Sequence, residues 1–386
     1  MKKLFLRFMI SMAILTPFVL ASCSDDNNEP TVPPVTESEL SGSIKTSKTL
    51  DANITYTITG PVIVEDGATL TIPAGTVIKA EKGFSNYILV LQGGKIYVNG
   101  TADKPVVMTA DISNAEAGHW GGLVINGRAP LAGEKTTGST EINAAYIYGG
   151  NIPADNSGSI TYLKLEFTGA KSSADVEHNG LTLNGVGNGT IIENIYVIEG
   201  ADDAIEFFGG TVNVKNLLAV NPDDDMFDFT QGYTGTLENA YGIWEAGYSS
   251  SESDPRGIEA DGNWDGLTPD QQGQSNFSVV NMTIDLKLPY NTTDVKKQMQ
   301  DAIKIRRGAK ATITNALIKG TGAALDLVDF TDGKGAGDAT SSINLTNQLT
   351  NPILGKTTNG TGTVTFSDNN TGCASNIFAW TGYTNF

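Results

Sequence analysis

Asp203-Ala204-Ile205-Glu206-Phe207-Phe208, Asp225-Met226-Phe227-Asp228-Phe229-Thr230 and Asp301-Ala302-Ile303-Lys304-Ile305-Arg306 are three copies of one pattern. Each opens on an acid, places a charged residue between two apolar ones, and reaches a glycine within two residues. An asparagine followed by an apolar or small residue comes 10 or 11 residues after the fourth position of each copy, as Asn216, Asn239 and Asn315. Asn194 and Asn281 share that motif, and Asn194, Asn216 and Asn239 are 22 and 23 residues apart. Two further residues fit the fourth position: Glu259, and Asp326, which lies 22 residues after Lys304. A period near 22 built from short β-branched runs and glycine turns is one rung of a solenoid. The expected fold is therefore all-β, a right-handed parallel β-helix of about 22 residues per rung with inserted loops. About a dozen rungs fit between residues 53 and 331, with asparagines stacked as a ladder about 4.8 Å apart. The loops are expected near 246–256, 263–275 and 287–300, with a helical turn conceivable around Val295 to Gln300. A β-sandwich with chance spacing is the competing reading.

Strand alternation turns Glu206, Asp228, Glu259, Lys304 and Asp326 outward on one face. Adjacent carboxylates at rung spacing repel by about 1 to 4 kcal/mol per pair. Compensation is expected from Lys304, Arg306 and Arg307 on one side and from a bound cation on the other, calcium being the hard ion suited to oxygen ligands. The preceding turn stacks Asp202 over Asp224 and Asp203 over Asp225, a candidate metal site. The plainer account is that these acids accept backbone N–H groups in tight turns. Tyr241, Trp244, Tyr248 and Trp264 border the loops, where aromatics form binding platforms. With Glu206, Asp228, Glu259, Lys304 and Arg306 they make a candidate ligand surface, against the alternative that they merely cover a sheet.

Catalysis needs more. A glycoside hydrolase needs two carboxylates about 5 to 9.5 Å apart, which stacked acids supply. A calcium-assisted polysaccharide lyase would use Asp203 and Asp225 for the ion and Arg306 as base. The only histidines, His119 and His178, lie outside the repeat blocks. Trp120 beside His119 reads as core packing, His178 as an exposed loop residue, and Cys373 as a small buried one.

At the other end, Lys2, Lys3 and Arg7 precede an apolar run from Phe8 to Leu20, too short to span a bilayer, and then Leu20-Ala21-Ser22-Cys23. That string resembles the lipobox of bacterial lipoproteins, which implies a signal peptide over 1–22 and lipidation of Cys23. A plain secretory peptide cut near Ala21 is the alternative. Ser24-Asp25-Asp26-Asn27-Asn28-Glu29 resembles the acidic export signal of Bacteroidetes surface lipoproteins. Residues 23–45, with Pro30, Pro33 and Pro34, read as a tether, 46–338 as the β-helix, and 339–386 as a cap or edge-covering segment whose apolar content comes from Phe378, Trp380, Tyr383 and Phe386. Loss of Lys2, Lys3 and Arg7 and of no acid takes the formal net charge from −18 to −21. So acidic a chain does not bind nucleic acid by neutralising phosphates, and it repels anionic lipid headgroups.

Gly118-His119-Trp120-Gly121-Gly122-Leu123-Val124-Ile125-Asn126-Gly127, Gly180-Leu181-Thr182-Leu183-Asn184-Gly185, Ala201 to Gly210 and Ile303-Lys304-Ile305-Arg306-Arg307-Gly308 together resemble the β-helical surface lipoproteins of Bacteroidetes over roughly residues 55 to 330. The resemblance implies fold and outer-membrane location, not an activity. It suggests a non-enzymatic binding or accessory protein beside a TonB-dependent transporter, with a glycan, peptide or protein as ligand. The lyase or hydrolase and a structural or adhesive protein are the other two classes.

Overall fold

The computed structural model describes residues 36–173, 176–264 and 272–386; Cys23, the signal segment and Asp175 lie outside them. The described chain winds into a right-handed parallel β-helix in which 23 strands join as one sheet, and every pairing between its named strands is parallel. One wall stacks Thr36–Ile44, Ile54–Val64, Gly83–Val90, Trp120–Asn126, Leu181–Asn184, Ile205–Phe208, Phe227–Thr230, Arg256–Asp261, Gln298–Arg306 and Ala323–Asp329. Those are ten levels rather than a dozen, because segments such as 127–157 leave the rungs. A short antiparallel hairpin, Gly138–Ser139 with Ile147–Tyr148, forms within that excursion.

The other two walls meet at the asparagine corner. Asn194, Asn216, Asn239, Asn281 and Asn315 all adopt the left-handed conformation, with φ between 55° and 60°. Asparagine tolerates that conformation far better than a β-branched residue. Each amide donates to the next: Asn216 to Asn194 at 2.9 Å, Asn239 to Asn216 at 2.8 Å, Asn281 to Asn239 at 2.8 Å and Asn315 to Asn281 at 2.7 Å. Thr371 N–H donates to Asn315 Oδ1 at the top (2.8 Å). Asn239→Ala is expected to lose about 2 to 3 kcal/mol, from the strained backbone and the broken ladder together. Asn239→Gly removes the ladder bonds but not the backbone freedom, so urea denaturation should show a smaller loss for it.

Inward residues fill the rod, and Phe207, Phe229 and Phe277 stack through its axis with ring centroids 5.0 and 4.1 Å apart. The turn expected near Val295 is a short 3-10 helix, Val295–Lys297, capped by Asp294.

Two boundaries move. The tether expected through residue 45 gives way to strand at Thr36, because Leu40 and Ile44 find core positions beside Ile54–Val64. Parallel pairing also continues past residue 338, through Ser342–Leu349 and Thr363–Phe366. The tail does not cap the last rung; it lies along the side of the rod. There Phe378 and Cys373 are buried against Tyr196, Leu218, Val220, Tyr241 and Ile243, with Trp380, Tyr383 and Phe386 packed around them. That outward row carries apolar side chains on successive rungs, so it needs cover. Lys164 Nζ donates to the Thr381 carbonyl (2.6 Å) and Cys373 N–H to Thr283 Oγ1 (2.9 Å), fixing the strap. Burial pushes the Cys373 thiol up to about 12.

Candidate functional site

On the upper six levels of the ten-level wall the repeat places its first and fourth positions side by side. From bottom to top these pairs are Asn179 and Thr182, Asp203 and Glu206, Asp225 and Asp228, Arg256 and Glu259, Asp301 and Lys304, and Asp326 and Asp329. Two rungs with mixed charge sit above two rungs that are wholly acidic. The expected stacking of Asp202 and Asp203 on Asp224 and Asp225 is present: Asp225 N–H donates to Asp203 Oδ1 (2.9 Å), and Arg256 N–H to Asp225 Oδ1 (2.6 Å). Asp203 and Asp225 thus each use one oxygen to cap the turn above, as the plainer reading requires.

The register corrects one member of the ladder. Asp326 pairs with Asp301, and Asp329 takes the place over Lys304. Val214–Val220 aligns with Ile313–Lys319 without an insertion, so the three extra residues that lengthen that rung from 22 to 25 lie in its turns, one before that stretch and two after it. Lys304 accordingly pairs with Asp329.

The charged face is also more enclosed than alternation implies. Glu206 and Asp228 are half-buried rather than facing open solvent, and Glu259 is only 8% exposed. Arg256 pairs with Asp254, Glu259 and Asp301, and Arg306 with Glu259 and Asp261. Arg307 bridges Asp261 and Asp332. The compensation expected from Lys304, Arg306 and Arg307 exists, but Arg256 is its centre. Burial first, and then Arg256 and Arg307 nearby, bring Arg306 down to about 10.

No such compensation reaches the lower acids in full. Lys171 touches Asp202 at 3.8 Å while holding Glu177 and Glu252. Burial above all, with neighbouring carboxylates adding, raises Asp202, Asp203, Glu206 and Asp225 well above the usual carboxylate range. Asp224 and Asp228 are pushed up to about 7 by burial, which outweighs their nearest arginines. One oxygen of Asp224 and one of Asp228 are buried with no hydrogen-bond partner. Oxygens of Asp202, Asp203 and Asp224, of Asp203, Glu206 and Asp228, and of Asp225, Asp228 and Glu259 form triplets within 4.8 Å of one another. Two ligands of one calcium at about 2.3 to 2.6 Å lie no farther apart than that span allows. The residues fit a hard divalent cation.

The family model described as pectate-lyase like beta helix domain matches residues 42–383. The chain belongs to that family. No curated protein and no solved structure matches it. In this pectate-lyase-like β-helix, the aromatic platform does not assemble. Trp244 lies inside the core with its Nε1–H on the Pro222 carbonyl (3.3 Å), and Tyr241 is covered by the C-terminal strap. Trp264 instead stacks near Tyr148 of the hairpin (centroids 6.4 Å apart) under Lys135, pinning the loop over the wall. His119 and Trp120 are buried, as core packing requires. His178 is not an exposed loop residue: it is 1% exposed, packed between Phe84 and Tyr87, and burial lowers it to about 4.

Sequence reasoning missed Arg256, Asp261 and Asp329. Arg256 was findable, since Arg256-Gly257-Ile258-Glu259 is a fourth copy of the block with a base at its first position.

Proposed function

We propose that this protein is a lipid-anchored surface binding protein, not a catalyst, whose two acidic rungs hold a divalent cation, calcium by ligand type. The observation that carries this reading is the enclosure of the residues a lyase would use, with Asp203 and Asp225 buried and Arg306 half-buried between two carboxylates. Asp203 and Asp225 are 6% and 3% exposed, and each commits an oxygen to a backbone N–H. Arg306 is engaged by Glu259 and Asp261. A polysaccharide must touch its base and its ion, and groups this enclosed offer no such contact. The cation neutralises carboxylates that otherwise repel or stay protonated, and so stiffens the wall. Anchoring through Cys23 and an accessory role beside a TonB-dependent transporter follow the lipoprotein resemblance, with a glycan, peptide or protein as cargo.

The lowered Arg306 favours one second reading, a calcium-assisted lyase. A single assay separates the two. Purified protein with polygalacturonate, with and without calcium, should give calcium binding by calorimetry and no unsaturated product. Turnover lost in Arg306→Lys would sink the binding-protein reading and establish the lyase.

A further inference from the structure

Among the described residues, this wall and the turn before it crowd carboxylates into four groups of three, each with oxygens within 4.8 Å of one another. Two groups lie high, Asp225–Asp228–Glu259 and Asp301–Asp326–Asp329, and two lie low, Asp202–Asp203–Asp224 and Asp203–Glu206–Asp228. The high groups carry their own counter-charge. Glu259 holds Arg256 on one oxygen and Arg306 on the other. Asp329 pairs with Lys304, and Asp301 lies 3.2 Å from Arg256 and 3.8 Å from Lys304. Where three carboxylates meet in the upper wall, two basic side chains meet them.

The low groups lack that provision. Among the described residues no ion pair reaches Asp203, Glu206, Asp224 or Asp228, and the one at Asp202 is Lys171 at 3.8 Å, whose ammonium already holds Glu177 at 2.9 Å and Glu252 at 2.6 Å. Asp203 gives one oxygen to the Asp225 N–H and Glu206 one to the Asn179 amide, which leaves each a second oxygen without a donor. Asp224 and Asp228, each with a buried and unpartnered Oδ1, fall one in each low group. An ion with Ca–O distances of about 2.3 to 2.6 Å gathers oxygens no more than about 5 Å apart, and no close group contains both Asp224 and Asp228. One ion therefore meets one of these acids and leaves the other. We infer that the low groups hold two calcium ions, one on Asp202, Asp203 and Asp224 and one on Asp203, Glu206 and Asp228, with Asp203 as the shared ligand. This rests on the calcium reading above and adds to it a count and an order. The seat at Glu206 has no ion-paired cation and fills first. The seat at Asp202 competes with the Lys171 ammonium and, through Asp203, with the first ion, so it fills second.

Native mass spectrometry and calorimetry of the full chain, titrated with calcium chloride at pH 7, read the count and the order. Two ions per chain in two unequal steps are expected. Glu206→Gln should weaken the tighter step at least about tenfold, and Asp224→Asn the looser one, because affinity follows the charge of the ligand set. Asp203→Asn should weaken both. Lys171→Gln, which changes no ligand, should tighten the looser step and leave the tighter one in place, and this half-buried position guards against a ligand variant that fails to fold. A single ion per chain would overturn the pair and leave the calcium reading standing, whereas no bound ion would sink both. Two ions indifferent to Glu206→Gln and Asp224→Asn would sit elsewhere, and that too would overturn the pair.

Discussion

Arg256→Met is expected to destabilise the fold by about 3 to 5 kcal/mol, the usual result of removing one partner from a buried charge network. The side chain is 6% exposed and is held by Asp254, Glu259 and Asp301, with Asp225 beneath it. Asp301 is 1% exposed, and without Arg256 its remaining cation is Lys304 Nζ at 3.8 Å. Glu259 retains Arg306, but Arg306 is shared with Asp261. The loss comes from uncompensated buried carboxylates rather than from the worth of the pairs themselves. Arg256→Met combined with Asp301→Asn should therefore recover part of it, which a double-mutant cycle in urea measures. A loss below about 1 kcal/mol for the single variant would place the network with exposed surface pairs and remove Arg256 from the centre of the wall.

How much of this was legible follows from what a repeat encodes. The asparagine ladder was readable because one backbone need, a left-handed corner, recurs at one residue type on successive rungs. The stacking of Glu206 on Asp228 and Glu259 was readable for the same reason. Asp326 was misplaced because spacing alone assumes equal rungs, whereas the turns between walls vary in length. Enclosure was not legible at all. The roof over Glu206 comes from the segment around Tyr148, whose hydroxyl reaches Gln231 (2.6 Å) 83 residues away, and no local pattern announces such docking. The strap did leave a trace: Tyr196, Leu218 and Tyr241 put apolar side chains outward on successive rungs, which asks for a lateral cover rather than an end cap. The aromatics Trp244 and Tyr241 looked like a platform because sequence does not say which side of a wall a corner residue takes.

Calcium-free protein is expected to melt at a lower temperature as pH rises from about 4 to about 7, and calcium should abolish that decline. Asp224 and Asp228 are raised from 3.8 to about 7, so the fold keeps protons that the unfolded chain releases above about 4. The stability these protons contribute is complete below the unfolded value and is lost as pH climbs through the folded one. Asp202, Asp203, Glu206 and Asp225 shift in the same direction. His178 opposes them: lowered from 6.5 to about 4, it contributes stability above 6.5 that is lost as pH falls toward 4. Asp228→Asn isolates the acid contribution, because it abolishes one titration and leaves His178 untouched; its melting temperature should fall less steeply over the same window. Calcium at one hundred times its dissociation constant adds about 2.7 kcal/mol by mass action. It also displaces the remaining protons from its ligands, so binding near pH 6 should release protons that calorimetry in buffers of different ionisation heat detects. Equal melting temperatures at pH 5 and pH 7 in chelator, unmoved by calcium, would mean that the acidic rungs are a capped turn and nothing more. The raised carboxylates make that outcome physically demanding, since six of them on two rungs must then share their charge with Lys171, Arg256 and Arg306 as the nearby cations.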